Sequence, residues 1–177
     1  MKIIFYGGRQ AGVVCLLTIL ANKHVISAVV PEDDMVDRVA KSLKLKIYQK
    51  ETINSPNFCK DVENDKPDLL VCAHGRRLIK TALLSIPKYG CINVHPCLYK
   101  YKGATPIARM LADRETKASV AVHQMTDKID DGEVIIENFV DVGGLNTVLE
   151  VYNFLYPLYS ITLTEAIGKL EKENKAV

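Results

Sequence analysis

The chain lacks charge of one sign. Its 177 residues carry a formal net charge of only +2, with 23 basic against 21 acidic side chains. That balance is too small to point to nucleic acid. The densest basic cluster, Lys41 to Lys50, reads as a solvated face on a helix end and the next strand. No run of about 18 uninterrupted apolar residues is present, so no membrane span is expected. Met1-Lys2 leads straight into a strand-like run, so no secretory leader is expected. There is no CxxC pair, and the five cysteines are an odd number. That pattern suits a reduced, cytoplasmic protein better than a disulfide framework. Cys91, His95 and Cys97 match no common zinc spacing and have no evident fourth ligand, so no metal is expected. Repeats, low-complexity tracts and interdomain linkers are also missing. A single domain over residues 1–177 follows, long enough to bury about two thirds of its unfolded surface.

What is present alternates between strand and helix signals. Lys2 to Tyr6 is a short apolar run closed by Gly7-Gly8, hence a buried first strand. Gln10 to Ala21 places Val13, Val14, Leu16, Leu17 and Leu20 at helical spacing. Val25 to Val30 reads as a strand ended by Pro31. Asp33 or Asp34 caps a helix through about Leu43, with Val36, Val39, Ala40 and Leu43 turned inward. Leu45 to Tyr48 suggests a further strand. Asn54 or Ser55 caps a helix that has Pro56 near its first position. Asp68 to Ala73 is a buried strand, Leu78 to Leu84 a short helix, and Cys91 to Pro96 another strand. Thr105 to Asp113 is helical, with Pro106 tolerated in the first turn. Ser119 to Met125 and Glu133 to Val140 read as strands with no clear helix between them. Asn146 to Leu170 is mostly helix, disturbed at Pro157, and Glu171 to Val177 is a charged tail expected to fray. The order predicts an α/β fold: a doubly wound, mostly parallel, Rossmann-like sheet with an antiparallel or mixed edge.

Gly7, Gly8 and Gly12 after the first strand, with Glu32 about 20 residues on, invite a dinucleotide reading. The spacing is not GxGxxG. A tight turn followed by close helix–sheet packing accounts for the glycines. An anion at this helix start stays open, with Arg9 adding charge.

The strand Cys91-Ile92-Asn93-Val94-His95-Pro96 carries the strongest chemical signal. Alternation puts Asn93 and His95 on one face and Ile92 and Val94 on the other. An amide and an imidazole therefore sit side by side where a buried strand ends, at the sheet edge where α/β proteins bind ligands. The second polar cluster, Met125-Thr126-Asp127-Lys128-Ile129-Asp130-Asp131-Gly132, lies between two strands. Alone it reads as a solvated acidic turn. It lacks EF-hand spacing and flanking helices, which argues against calcium.

Together the two clusters resemble the 10-formyltetrahydrofolate-dependent formyltransferase family. That family carries Asn-x-His-Pro-Ser-Leu-Leu-Pro-x-Tyr-Arg-Gly, then a strand with His and Met, then an Asp-x-Gly loop. Here the matching residues are Asn93-Val94-His95-Pro96-Cys97-Leu98-Tyr99-Lys100-Tyr101-Lys102-Gly103, then Val122-His123-Gln124-Met125, then Ile129-Asp130-Asp131-Gly132. The likeness covers essentially the whole chain. Cys97 stands where serine is usual, Lys102 replaces arginine, and the segment from His95 to Gly103 is one residue short and lacks the usual proline.

The resemblance implies formyl transfer to a primary amine, with Asn93, His95 and Asp130 as the catalytic residues. Asn93 would donate to the tetrahedral oxyanion. His95 would exchange protons with the amine or stabilise the oxyanion as imidazolium. Asp130 would hold the imidazole and favour its charged form, or relay protons through water. The donor 10-formyltetrahydrofolate would lie against Arg76, Arg77, Leu78 and Ile79 and against Asp127, Ile129 and Asp131, with acceptor contacts at Gly8, Arg9, Lys102 and Gly103. Read without the resemblance, Arg76-Arg77 is a pair of surface charges near a helix start. His123 reads as structural, His74 beside Gly75 as a weaker site candidate, and His24 as a surface residue.

Three acceptors compete. Methionyl-tRNA formyltransferases usually add a C-terminal β-barrel domain and a basic insertion near the second strand, whereas this chain ends at Val177 and is acidic at Glu32-Asp33-Asp34. Phosphoribosylglycinamide formyltransferases usually carry a phosphate loop that Gly7-Gly8-Arg9-Gln10 matches poorly. The expectation is therefore a small-molecule amine on a sugar nucleotide, with tRNA second and glycinamide ribonucleotide third. No membrane partner is expected, and a homodimer is left open. A folate-binding module without catalysis, or a hydrolase releasing formate, is the reading from a different class.

Overall fold

The computed structural model describes residues 1–173. The chain runs β1 (Lys2–Gly7), α1 (Arg9–Ala21), β2 (Val25–Pro31), α2 (Asp34–Ser42), α3 (Pro56–Asp65), β3 (Leu69–Ala73), α4 (Thr81–Leu84), β4 (Cys91–Pro96), α5 (Pro106–Ala112), β5 (Lys117–Gln124), β6 (Val134–Asp141) and α6 (Val148–Glu173). The six strands form one sheet in the order β2-β1-β3-β4-β5-β6. The first four are parallel, and β5 and β6 add an antiparallel edge. This is the expected α/β architecture. Strand order reverses between β1 and β3, so the carboxyl ends of β1, β3 and β4 open a crevice at the switch point.

Burial on both faces explains the nearly continuous apolar strands. Ile3, Phe5, Val71, Ile92 and Val94 face α1, α2, α5 and α6. Ile4, Tyr6, Leu70, Cys72 and Cys91 face α3 and α4, where Phe58, Val62 and Leu83 cover them. On β4 that second cover ends at Cys91. Asn93 and His95, next on the same face, emerge where the helices stop and a loop begins.

Several details differ from expectation. Leu45 to Tyr48 forms only one bridge, between Ile47 and Val29, at the sheet edge. The helix predicted from Leu78 is reduced to Thr81–Leu84, because the Asn54 side chain donates to Leu78 O and accepts from Lys80 N–H, holding residues 78–80 extended. Of the two expected caps for α3, Ser55 is the one used, as expected. Leu43 is 43% exposed, so only Val36 and Ala40 of the four expected residues are fully buried on α2. At the other end, α6 runs unbroken through Pro157 to Glu173; the start of the expected frayed tail is helical, and residues 174–177 lie outside the described residues. His24 is not a surface group: its ring nitrogen lies 3.2 Å from the Met1 amine, and its side chain is 11% exposed.

Glycine is required at two places near the crevice. A Cβ on Gly7 would meet Ala73 O at 2.5 Å, and one on Gly75 would meet the Tyr6 ring at 2.3 Å. No described helix is long and apolar enough to cross a membrane.

Candidate active site

Antiparallel pairing of β4 with β5 places Asn93 directly opposite His123. The loop after β5 then folds back so that Asp130 reaches both β4 side chains. Asp130 Oδ2 lies 3.1 Å from His95 Nε2, and Oδ1 accepts from Asn93 Nδ2 at 3.3 Å. Gly103 joins from the opposite wall. Its N–H donates to Asp130 Oδ2 at 2.7 Å, and its carbonyl lies 3.2 Å from His95 Nε2.

The partners fix the protons. Gly103 O and a carboxylate can only accept, so His95 Nε2 carries hydrogen. His95 Nδ1 is buried with no hydrogen-bond partner. Gln124 O lies 2.8 Å from His123 Nδ1, so that nitrogen donates. His123 Nε2 is then the acceptor, in the neutral ring, for Asn93 Nδ2 at 3.2 Å. His123, 2% exposed, thereby orients the Asn93 amide, and it lies 3.5 Å from Asp130 Oδ1. Burial by itself would raise the Asp130 carboxyl. Hydrogen bonds from His95 and Gly103 N–H, with the charge on His95, outweigh it and hold Asp130 well below the usual carboxylate range.

Backbone strain marks the same region. Arg9, His74, Cys97, Thr105 and Asp130 all have positive φ without being glycine. Such conformations persist only where surrounding contacts impose them. His74, at the end of β3, bonds Tyr159 OH through Nε2 at 2.9 Å. Burial, with the nearby charges of Arg9 and His95, pushes its imidazole down to about 4.

Two cavities meet at Asn93 and Asp130. The larger, about 490 Å³, is lined by Asn93, His95, Asp130, Gly103, Arg9 and Tyr152, among others. The smaller, about 190 Å³, lies between Arg76–Leu78 on one side and Met125, Thr126 and Lys128–Asp130 on the other, with Cys72 at its floor. A third hollow of about 540 Å³ adjoins the first at Arg9, His74 and Arg76.

The structure brings together Asn93, His95, Asp130, Gly103, Arg9, Arg76, Arg77, Leu78 and Ile129 around these cavities. It does not bring Ile79, Asp127, Asp131, Gly8 or Lys102 to their walls. Ile79 is fully buried among the residues packed by α3 and α4. Asp131 pairs with Lys102 at 2.9 Å across the mouth. The Gly8 turn faces Asp33, whose carboxylate accepts from Arg9 N–H and from Met35 and Val36 N–H. An internal carboxylate thus already sits at the start of α1, where an external anion was considered. Cys91 and Cys97 do not join His95: Cys97 Sγ contacts Met110 Sδ, and Cys91 Sγ faces Leu84 O. His123, read as structural, belongs to the hydrogen-bonded centre. Its alternation with Val122 was visible in the sequence, but its partner across the sheet was not.

A family model described as formyl transferase matches residues 6–167. Among curated proteins, a methionyl-tRNA formyltransferase from Alkaliphilus oremlandii is 31% identical over 98% of this chain and 60% of its own length. The chain thus spans about three fifths of the length of that relative. Among solved structures, a phosphoribosylglycinamide formyltransferase from Anaplasma phagocytophilum aligns with a TM-score of 0.81 at 16% identity, covering 95% of this chain and 85% of that one. A sugar N-formyltransferase from a Shewanella species aligns with a TM-score of 0.77 at 19% identity, covering 98% and 71%.

Proposed function

Since the chain belongs to the formyl transferase family, we propose that it transfers a formyl group from 10-formyltetrahydrofolate to a primary amine. The observation that carries this reading is the His95–Asp130 pair, 3.1 Å apart, with the Asn93 amide beside it at the junction of two cavities. The smaller cavity, between Arg76–Leu78 and the loop after β5, is the one this reading gives to the pteridine of the donor. The larger suits the amine.

In the reaction, the amine nitrogen forms a bond to the formyl carbon, and the bond from that carbon to N10 of the donor breaks. The amine gives up one proton and N10 takes one, so the site needs a proton carrier and no redox partner. His95 is placed for that transfer, with Asp130 holding its ring from 3.1 Å. Charge builds on the formyl oxygen in between. The Asn93 Nδ2 hydrogen now donated to Asp130 Oδ1, and the His95 Nε2 hydrogen now shared by Asp130 and Gly103 O, are held in position before the reaction starts and would turn to that oxygen as its charge builds.

For the acceptor, the amine of a nucleotide-linked amino sugar comes first. The hollow beside the larger cavity mixes Arg9, Lys50 and Arg76 with Glu32, Asp33 and Asp34. Mixed charge in a bounded space suits a small polar molecule better than the uniform polyanion of RNA. Methionyl-tRNA is the second reading, supported by the names of relatives such as that of Alkaliphilus oremlandii.

The test is turnover with 10-formyltetrahydrofolate and a panel of amines: dTDP- and UDP-amino sugars, methionyl-tRNA and glycinamide ribonucleotide. His95→Ala and Asp130→Asn are each expected to lower turnover at least about 100-fold while folate binding persists. Turnover within tenfold of wild type in either variant would refute their roles. Formate release without any amine would indicate hydrolysis instead.

A further inference from the structure

Glu32, at the end of β2, is only 8% exposed and takes no part in the chemistry above. Its carboxylate Oε2 accepts from Tyr6 OH at 2.7 Å and from Arg76 N–H at 3.2 Å. Lys50 supplies the counter-charge: Nζ lies 2.7 Å from Glu32 O and 3.5 Å from Oε1. Tyr6 is fully buried on β1, and its hydroxyl also accepts from Arg77 N–H at 2.8 Å. Two consecutive backbone donors, Arg76 and Arg77, therefore end on one buried Tyr–Glu pair. Burial, reinforced by the bond to Glu32, raises the Tyr6 hydroxyl far above its ordinary value, so it stays protonated and able to donate.

The segment held in this way has no regular secondary structure between His74 and Lys80. Nothing intrinsic to a helix or strand fixes its shape. It nevertheless walls both cavities: Gly75 and Arg76 face the larger, and Gly75 through Leu78 the smaller. Gly75 packs so closely on the Tyr6 ring that any side chain there would collide with it. Hydrogen bonds and packing thus lock the same four-residue wall from the same anchor. Asn54 fixes its far end through Leu78 O and Lys80 N–H.

We infer that Tyr6 and Glu32 are positioning residues for the formyl donor: they hold the Gly75–Leu78 backbone in the shape that receives it. The inference rests on the donor reading above. Neither side chain touches His95, Asn93 or Asp130, so their loss weakens donor binding without altering the proton-transfer centre.

The experiment measures binding of 5-formyltetrahydrofolate, a stable analogue of the donor, by calorimetry well below the unfolding temperature. Amide hydrogen exchange at Arg76 and Arg77 is followed in the ligand-free proteins. Tyr6→Phe and Glu32→Leu are expected to weaken binding about tenfold or more and to speed exchange at those two amides. Glu32→Gln keeps a side-chain acceptor for Tyr6 and Arg76 and is expected to bind within about threefold of wild type. A merely structural role would lower the melting temperature without separating Gln from Leu in binding. Folded Tyr6→Phe with wild-type affinity and unchanged exchange overturns the inference. Failure of the wild-type protein itself to bind the probe overturns the donor reading, and the inference with it.

Discussion

Asn93 places both amide hydrogens inside the protein, one toward His123 Nε2 and one toward Asp130 Oδ1. That arrangement sets the amide in a single orientation before any substrate arrives, and such preorganisation is what makes an oxyanion donor effective. Asn93→Ala is expected to lower kcat about 100- to 1,000-fold, with donor affinity changed far less. Single-turnover measurements check this, and a loss confined to KM would reassign Asn93 to binding. The Asn93 and His95 pair was legible as two polar groups on one face of a buried strand, whereas Asp130 was singled out only through the resemblance, since its loop alone reads as a solvated acidic turn. Two contributions were not legible. Gly103 acts through its peptide group, which leaves no mark on residue type. His123 acts through a partner thirty residues away, at a separation of 30 in sequence.

At the scale of elements, the pairing of β4 with β5 and of β5 with β6 delivers His123 and the Asp130 loop to the end of β4. Pairing shifts register between Val122 and His123, and the return strand is held by Gln124 N–H donating to Glu133 O at 2.9 Å. Gly132 lies in the space this closure leaves: a Cβ there would sit 1.8 Å from Gln124 O. Gly132→Ala must push the loop away from β5. An overpacking cost of about 1–3 kcal/mol is expected. Activity should fall further than that loss of stability explains, because Asp130 moves with the loop. Thermal melts and turnover at a temperature where the variant is folded separate the two effects. The strands themselves were readable from apolar runs, within a residue or two at their ends. The Leu78 helix and the Leu45 strand were misread for a common reason. Both are short, and side-chain contacts made elsewhere, such as the clasp by Asn54, overrode weak local preference.

For the molecule as a whole, buried His74 couples folding to pH. Its folded pKa of about 4 lies below the ordinary 6.5. Between those values the unfolded chain binds more protons than the native one, so stability rises with pH through this window and is lost as pH falls from 6.5 to 4. The effect is up to about 3 kcal/mol. Urea titrations across this range should show the slope, and His74→Gln should flatten it. An unchanged slope in that variant would place the coupling elsewhere. Asp130 acts in a separate, lower window. Its depressed folded pKa gives stability that is present above the unfolded carboxylate value of about 3.9 and fades as pH falls below it.

The sequence by itself determined the family, the alternating α/β order and the three side chains at the centre of the site. Each of these depends on residue type at a position, and period-two alternation or a spaced motif records that directly. The tertiary structure decided which partners those side chains have. Strand order, register and the irregular Gly75–Leu78 wall are products of contacts between distant segments, and no local pattern encodes them. Asp130 next to His95, His123 against Asn93, and Tyr6 with Glu32 beneath the Arg76–Arg77 backbone come together only when β1, β2 and β4 end at one edge of one sheet and β5 pairs antiparallel with β4.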